Sequence, residues 1–296
     1  MTTSIQNLVE FLKVYKSTDR EKITHTRIGH PDKQYKIFGG SYNIPEDKLP
    51  EFYKHYYKHV MKDGNKEYLT EKQQEDGPIL IDFDFRYLDT VEERIHTKEH
   101  ITDITLLYLE KLKELVEIKE NESFPIYIFE KPNVNMAEDD KTKDGIHMII
   151  GVNLKRSLQI LLRERVLQEI DEVWGDLKEE LTNSWEDVLD SGITKGGTNW
   201  QLYGSRKPLN DAYSLSYVYN CSFDSNDNDF ELEELDAREY EREKTNFPKL
   251  SVQYKNHVSF EMTEGIKEKF DEIELSRQKK KKPKLKLTST NTNGSI

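Results

Sequence analysis

Two aspartates stand two residues apart inside an apolar, β-favouring run, Ile79-Leu80-Ile81-Asp82-Phe83-Asp84-Phe85-Arg86. Side chains of a strand alternate between faces, so Ile81, Phe83 and Phe85 point one way and Asp82 and Asp84 the other. The apolar side can seat the strand in a core while both carboxylates share one exposed ridge. Like charges at neighbouring same-face positions repel, and strand formation does not require them. A divalent cation reverses that cost, because Mg2+ and Mn2+ take oxygen ligands and are held by one or two carboxylates plus substrate phosphates. The solvated outer face of an edge strand is the plainer reading of the same pattern. Other parts of the chain have to separate the two.

With 296 residues the chain can bury a substantial core, as one large domain or two intimate subdomains with a tail. Its net charge of −12 argues against a nucleic-acid binder at first sight. The charge is unevenly spread. Residues 277–296 hold Arg277, six lysines and no acid, which leaves −19 on residues 1–276. Nucleic-acid affinity would need a local basic strip, bound metal or the tail. The single cysteine, Cys221, excludes an internal disulfide framework and a zinc ribbon. No run reaches the length of a membrane helix, and Met1-Thr2-Thr3-Ser4 opens no signal peptide. These features predict a soluble intracellular protein with no membrane partner.

Hydrophobic spacing predicts helices over residues 4–16, 45–61, 97–118 and 157–181, the last capped by Ser157. Tyr35-Lys36-Ile37-Phe38 reads as β-like, as do residues 125–129, 145–152 and 213–220. Residues 130–144 read as a polar excursion between two strands, residues 183–188 as a short element and residues 224–239 as an acidic surface loop. The lysine-rich end reads as disordered. The order of elements gives an α+β fold with mostly antiparallel strands.

Three further pieces bear on chemistry. Gly145-Ile146-His147 puts a histidine on the face of a glycine, with room for something bulky against the sheet, and a histidine can donate a hydrogen bond to phosphate. A surface or core histidine is the plainer reading. Val188-Leu189-Asp190 supplies a third carboxylate, or an ordinary Asp-Ser-Gly turn. Tyr203-Gly204-Ser205-Arg206-Lys207-Pro208 joins a break to two cations suited to phosphate oxygens, or forms a surface loop with incidental charge.

Taken in order, Asp82-Phe83-Asp84, Gly145-Ile146-His147 and Leu189-Asp190 resemble the three motifs of the archaeo-eukaryotic primase superfamily. The Tyr203–Lys207 stretch makes the likeness closest to the primase domain in primase–helicases of nucleocytoplasmic large DNA viruses. The resemblance spans about residues 24–220 and implies a primase-like core of two packed α/β modules, one with an RNA-recognition-like sheet. On that reading residues 1–76 form the N-terminal module, 77–276 the catalytic module and 277–296 a tail or linker. It implies that Asp82, Asp84 and Asp190 are catalytic and hold two divalent ions, Mg2+ or Mn2+. His147, Ser205, Arg206 and Lys207 would bind the nucleoside triphosphate. The implied activity is primer synthesis on single-stranded DNA in viral replication, with a DNA-polymerase capacity included. The partners would be the template and a helicase in cis or trans, and the setting the host cytoplasm, a viral replication site or the nucleus.

Two departures qualify the likeness. A zinc-binding segment common in the family cannot be built from Cys221 alone, and no Gly-x-x-x-x-Gly-Lys-Ser/Thr signature of the helicase is present. The expectation is a stand-alone primase or the front of a longer protein. A metal-dependent nuclease and a non-catalytic module binding single-stranded nucleic acid remain as alternatives at this level.

Overall fold

The computed structural model describes residues 6–120, 122–136 and 141–281. In chain order its strands are β1 (His25–Arg27), β2 (Gly40–Tyr42), β3 (Leu69–Glu71), β4 (Asp76–Leu88), β5 (Ser123–Glu130), β6 (Asn135–Met136), β7 (Lys141–Lys155), β8 (Trp200–Gln201), β9 (Ser214–Asp224), β10 (Asp229–Leu235) and β11 (Val258–Ser259). The helices are α1 (Leu8–Val14), α2 (Leu49–Tyr57), α3 (Lys98–Lys113), α4 (Arg156–Lys178), α5 (Trp185–Val188), α6 (Ser191–Thr194), α7 (Ala237–Arg242) and α8 (Lys267–Lys281). The fold is α+β, as expected. Among the described residues no helix is long and apolar enough to cross a membrane.

Two sheets carry the architecture. The smaller runs β2-β1-β3-β8 and is antiparallel throughout, its fourth strand arriving from far downstream. In the larger, β7 lies between β4 and β5, and β9 and β10 continue outward from β5. The run β4-α3-β5-β7-α4-β9 is a β-α-β-β-α-β unit.

The alternation along β4 decides which layer each face meets. Phe83, Phe85 and Tyr87 are fully buried and form a stacked ladder, with centroids 6.4 and 6.0 Å apart. Trp174 of α4 packs on Phe83 at 4.9 Å, within the core that α3 and α4 close. Burying each such ring contributes roughly 1.5–3 kcal/mol. On the opposite face Leu80 joins a second core with Phe52, Tyr56, Tyr127, Phe129 and Trp200, so the large sheet is covered on both sides. Asp82 and Asp84 share the face of Leu80. Their ridge is therefore half-buried between two layers, not the solvated surface that strand alternation alone suggested.

Local readings differ in four places. Tyr35–Phe38 is not a strand: Asp32 caps a single 3-10 turn at Lys33–Tyr35, Lys36 adopts φ +53°, and β2 begins only at Gly40. Tyr35 and Phe38 are 51% and 64% exposed, so no core rewards an extended conformation there. The acidic stretch 224–239 is not a loop, since β10 pairs with β9 and buries Phe230 while Glu231 and Glu233 face solvent. Its alternation was present but masked by charge. Ser157 does not cap α4; it is buried in the first turn, donates to Glu274 Oε1 at 2.5 Å and accepts from Arg277 Nη1 at 3.1 Å. Arg277 also pairs with Glu75, so the segment read as disordered begins inside α8; residues 282–296 lie outside the described residues.

Candidate active site

The antiparallel register of β4 and β7 sets Asp82 opposite His147 and Asp84 opposite Gly145. The third carboxylate reaches them through the chain that borders the free edge of β4. Thr182 N–H donates to Arg86 O at 2.7 Å, Asn183 Nδ2 donates to Asp84 O at 2.8 Å, and Leu189 forms a β-bridge with Phe83. Asp190 N–H then donates to Asp82 O at 3.0 Å. Arg163 of α4 holds this segment from behind, with Nε 3.0 Å and Nη2 2.6 Å from Leu189 O and Nη2 2.9 Å from Glu186 O. One oxygen of Asp190, Oδ1, accepts from Gly192 N–H at 2.7 Å and caps α6. Asp82, Asp84 and Asp190 are thus neighbours although more than a hundred residues separate the third from the first.

The electrostatics of this group are unfavourable as the protein stands. Burial pushes the Asp82 carboxyl well above the usual carboxylate range, and the negative charges of Asp84 and Asp190 add to it; Lys207 and Lys131 oppose the rise. Asp82 Oδ1 is buried without a hydrogen-bond partner. His147 Nε2 lies 3.4 Å away, but burial and then the charges of Lys207 and Lys131 push its pKa down to about 3. His147 is therefore a neutral imidazole at physiological pH, and the contact is no ion pair. Among the described residues no three His, Cys, Asp or Glu side chains form a closed metal-binding group. The donor set nonetheless fits hard divalent cations, because it presents an orphaned buried carboxylate oxygen and three neighbouring carboxylates against two nearby lysines.

Asp82, Asp84 and His147 face a cleft of about 280 Å³ that also receives Lys131, Lys207, Trp200 and Tyr213. The His147 ring stacks on Tyr213 with centroids 3.8 Å apart and 12° between planes, and Trp200 packs against it at 4.7 Å. Gly145 makes that stack possible. A Cβ there would stand 2.6 Å from the Tyr213 hydroxyl and 3.0 Å from Phe83 O. The bulky group admitted by the small residue is thus a tyrosine of the protein itself.

The Tyr203–Lys207 segment divides its side chains. Gly204 has φ +84° and packs on the π-helical turn that follows α2, where a Cβ would meet Val60 Cγ1 at 2.9 Å. The Ser205 hydroxyl is buried, 2.8 Å from Tyr56 Oη, and accepts from Leu69 N–H at 3.0 Å. It anchors the turn and does not reach the cleft. Lys207 does reach it, whereas Arg206 turns into a neighbouring cavity.

Directly beside the site lies a second acidic group with the opposite character. Arg94 grips Asp144 through Nε at 2.8 Å and Nη2 at 2.9 Å, and reaches Glu130 through Nη1 at 3.0 Å. His96 Nε2 is 2.8 Å from Glu130 Oε1, and Asp144 Oδ1 accepts Gly145 N–H at 2.8 Å. Burial alone would raise the Glu130 carboxyl, but hydrogen bonds from His96 and Ser216 and the Arg94 charge outweigh it and leave it below its usual range. This group fixes the backbone at Gly145, and Arg94 also binds Lys131 O.

Lys131, Tyr213 and the Arg94–Asp144 pair were not singled out in the sequence. Lys131 lay at the start of the polar excursion, where nothing separates it from other surface lysines; burial pushes its pKa down, against the pull of Asp84, Asp144 and Asp82. Asp144 did offer a signal, an acid directly before a glycine where the strand turns from polar to apolar.

Residues 32–219 match the family model described as "C962R protein N-terminal AEP domain". Over 200 residues, 67% of this chain, the sequence is 32% identical to a protein of Acanthamoeba polyphaga mimivirus that carries the name "Putative helicase". The chain spans about a fifth of that relative, 20% of its length.

Proposed function

We propose, from the premise that this chain belongs to the archaeo-eukaryotic primase family, that it is a template-directed nucleotidyltransferase making primers on single-stranded DNA during replication of a large DNA virus. The observation that carries the reading is the delivery of Asp190 to Asp82 along the edge of β4, beside an unpartnered carboxylate oxygen. Asp82, Asp84 and Asp190 would hold two divalent ions, Mg2+ or Mn2+, which when bound make a 3′-hydroxyl a better nucleophile and offset charge on departing pyrophosphate.

The other groups act on the substrate. The 3′-oxygen attacks the α-phosphorus of the nucleoside triphosphate, the bond to the β-phosphate oxygen breaks, and pyrophosphate leaves. Lys131 and Lys207, on the cleft walls, place positive charge along the triphosphate. Neutral His147 donates one ring N–H to a phosphate oxygen, held flat by Tyr213 and Trp200. Three carboxylates facing two dications leave a positive site, which reconciles an acidic protein with polyanionic substrates. The mimivirus relative's name supports a helicase as partner, in the same chain or a separate one.

The test is incubation with an unprimed single-stranded template, Mn2+ and labelled ribo- or deoxyribonucleotides in separate reactions. Extended products that vanish in Asp82→Asn with Asp84→Asn support the reading. A shortened template would assign a nuclease, and binding without either product would assign a non-catalytic module.

A further inference from the structure

Arg206 faces a second cavity, of about 630 Å³, that shares residues 209–211 with the acid cleft as a common wall. Its lining combines aromatic rings with Lys66 and Arg206, and Asp32 and Asp211 also stand on its wall. The His30 ring lies between Tyr35, at 4.1 Å, and Tyr68, at 5.6 Å. Lys66 Nζ stands 5.6 Å over the Tyr35 ring. Arg206 Nε is buried with no hydrogen-bond partner, and the nearest carboxylate, Asp211, is 3.8 Å from its Nη1. On the common wall Leu209 is 87% exposed and holds φ +69°, a conformation a bulky side chain rarely adopts. Strained backbone of this kind persists where the surroundings or a ligand fix it.

The exposed Tyr35 ring, with Lys66 above it and Arg206 only loosely paired with Asp211, matches the two halves of a nucleotide, a base face and a phosphate. The wall shared with the acid cleft favours a polymer over a free nucleotide, since consecutive units of one strand can occupy both spaces. We infer that the His30–Tyr35–Tyr68 cavity binds single-stranded nucleic acid, stacking a base on Tyr35 and setting a phosphate between Lys66 and Arg206. The strand then crosses Leu209, whose exposed side chain lies against a base, and enters the acid cleft. The direction of the strand into the cleft rests on the transferase reading; the binding site does not.

Fluorescence anisotropy of a labelled oligo(dT) with the full chain, in the absence of divalent ions, tests this, with dTTP titrated separately. Tyr35→Ala should weaken oligonucleotide binding roughly fivefold to a hundredfold, the range of one lost base stack, and Tyr35→Phe should bind as the parent protein does. Lys66→Ala should lower the salt slope by roughly 0.7. Both side chains are exposed, so the variants should keep the parent unfolding midpoint. Unchanged dTTP affinity in these variants completes the expected pattern. Oligonucleotide binding that is indifferent to Tyr35→Ala and Lys66→Ala overturns the inference, as does a loss confined to dTTP, which would make the cavity a free-nucleotide site. The transferase reading fails separately, if no extension occurs while this binding pattern holds.

Discussion

Two groups of acids, one buried and one half-buried, sit side by side on neighbouring strands, and the protein treats them in opposite ways. Asp144 and Glu130 are met by a forked guanidinium, a histidine and a backbone N–H. Asp82 and Asp84 meet each other, Asp190 and a histidine that stays neutral. The first group is complete within the fold, and its partners set the backbone of β7. The second is left unbalanced by the same chain, with a cleft in front of it. A fold can satisfy a buried carboxylate at this depth, as it does for Asp144; beside Asp82 only the charges of Lys207 and Lys131 oppose the repulsion.

The comparison can be broken most severely at Arg94. Arg94→Ala strands Asp144 and Glu130 without their cation and should lower unfolding free energy by about 3–5 kcal/mol, read from a urea titration. A loss below about 1 kcal/mol would mean that this group is no more balanced than its neighbour. The next effect is in the other group. Asp82→Asn with Asp84→Asn should leave stability unchanged or higher by up to about 1 kcal/mol in chelator, because it removes mutual repulsion. Mn2+ at a hundred times its Kd should stabilise the parent by about 2.7 kcal/mol and the double variant not at all. Several kcal/mol lost in chelator would class these acids with Asp144.

The smallest effect sharpens the role of His147. Its folded pKa, about 3, lies below the ordinary 6.5, so between those values the unfolded chain binds the proton and the native state does not. Stability tied to this group is therefore present above pH 6.5 and lost as pH falls towards 3, at about 1.4 kcal/mol per unit. The advantage of the parent over His147→Gln should shrink by about 1–2 kcal/mol between pH 7 and pH 5. A gap that widens on acidification would mean that His147 is charged and paired with Asp82.

Much of the frame was legible because it is written locally. Periodicity marked α3 and α4, alternation marked β4, β7 and β9, and the spacing of Asp82 and Asp84 placed them on one face. Convergence of Asp190 was legible only through resemblance to a family, since no local pattern says which strand edge a distant segment will follow. The burial of Ser205 was hidden for a related reason: its hydroxyl partners are 136 and 149 residues away in sequence. Arg206 and Lys207 looked alike as adjacent cations, and only the packing of the Gly204 turn on Val60 and Met61 shows that they serve different cavities. The pairing of Arg94 with Asp144 spans 50 residues and joins a loop to a strand. Such contacts belong to the tertiary structure and leave no periodic trace.

The segment bordering β4 carries a consequence for how the molecule fails. A thirteen-residue strand paired on one side offers its other side to any chain that can add to it. Here that side is occupied by Leu181, Thr182, Asn183, Leu189 and Asp190. When this short stretch frays, the protein loses its third carboxylate and bares a hydrophobic template for self-association in the same event. Fraying of this stretch on mild heating is then a first step towards self-association, and whatever holds Asp190 against Asp82 also keeps the strand edge covered.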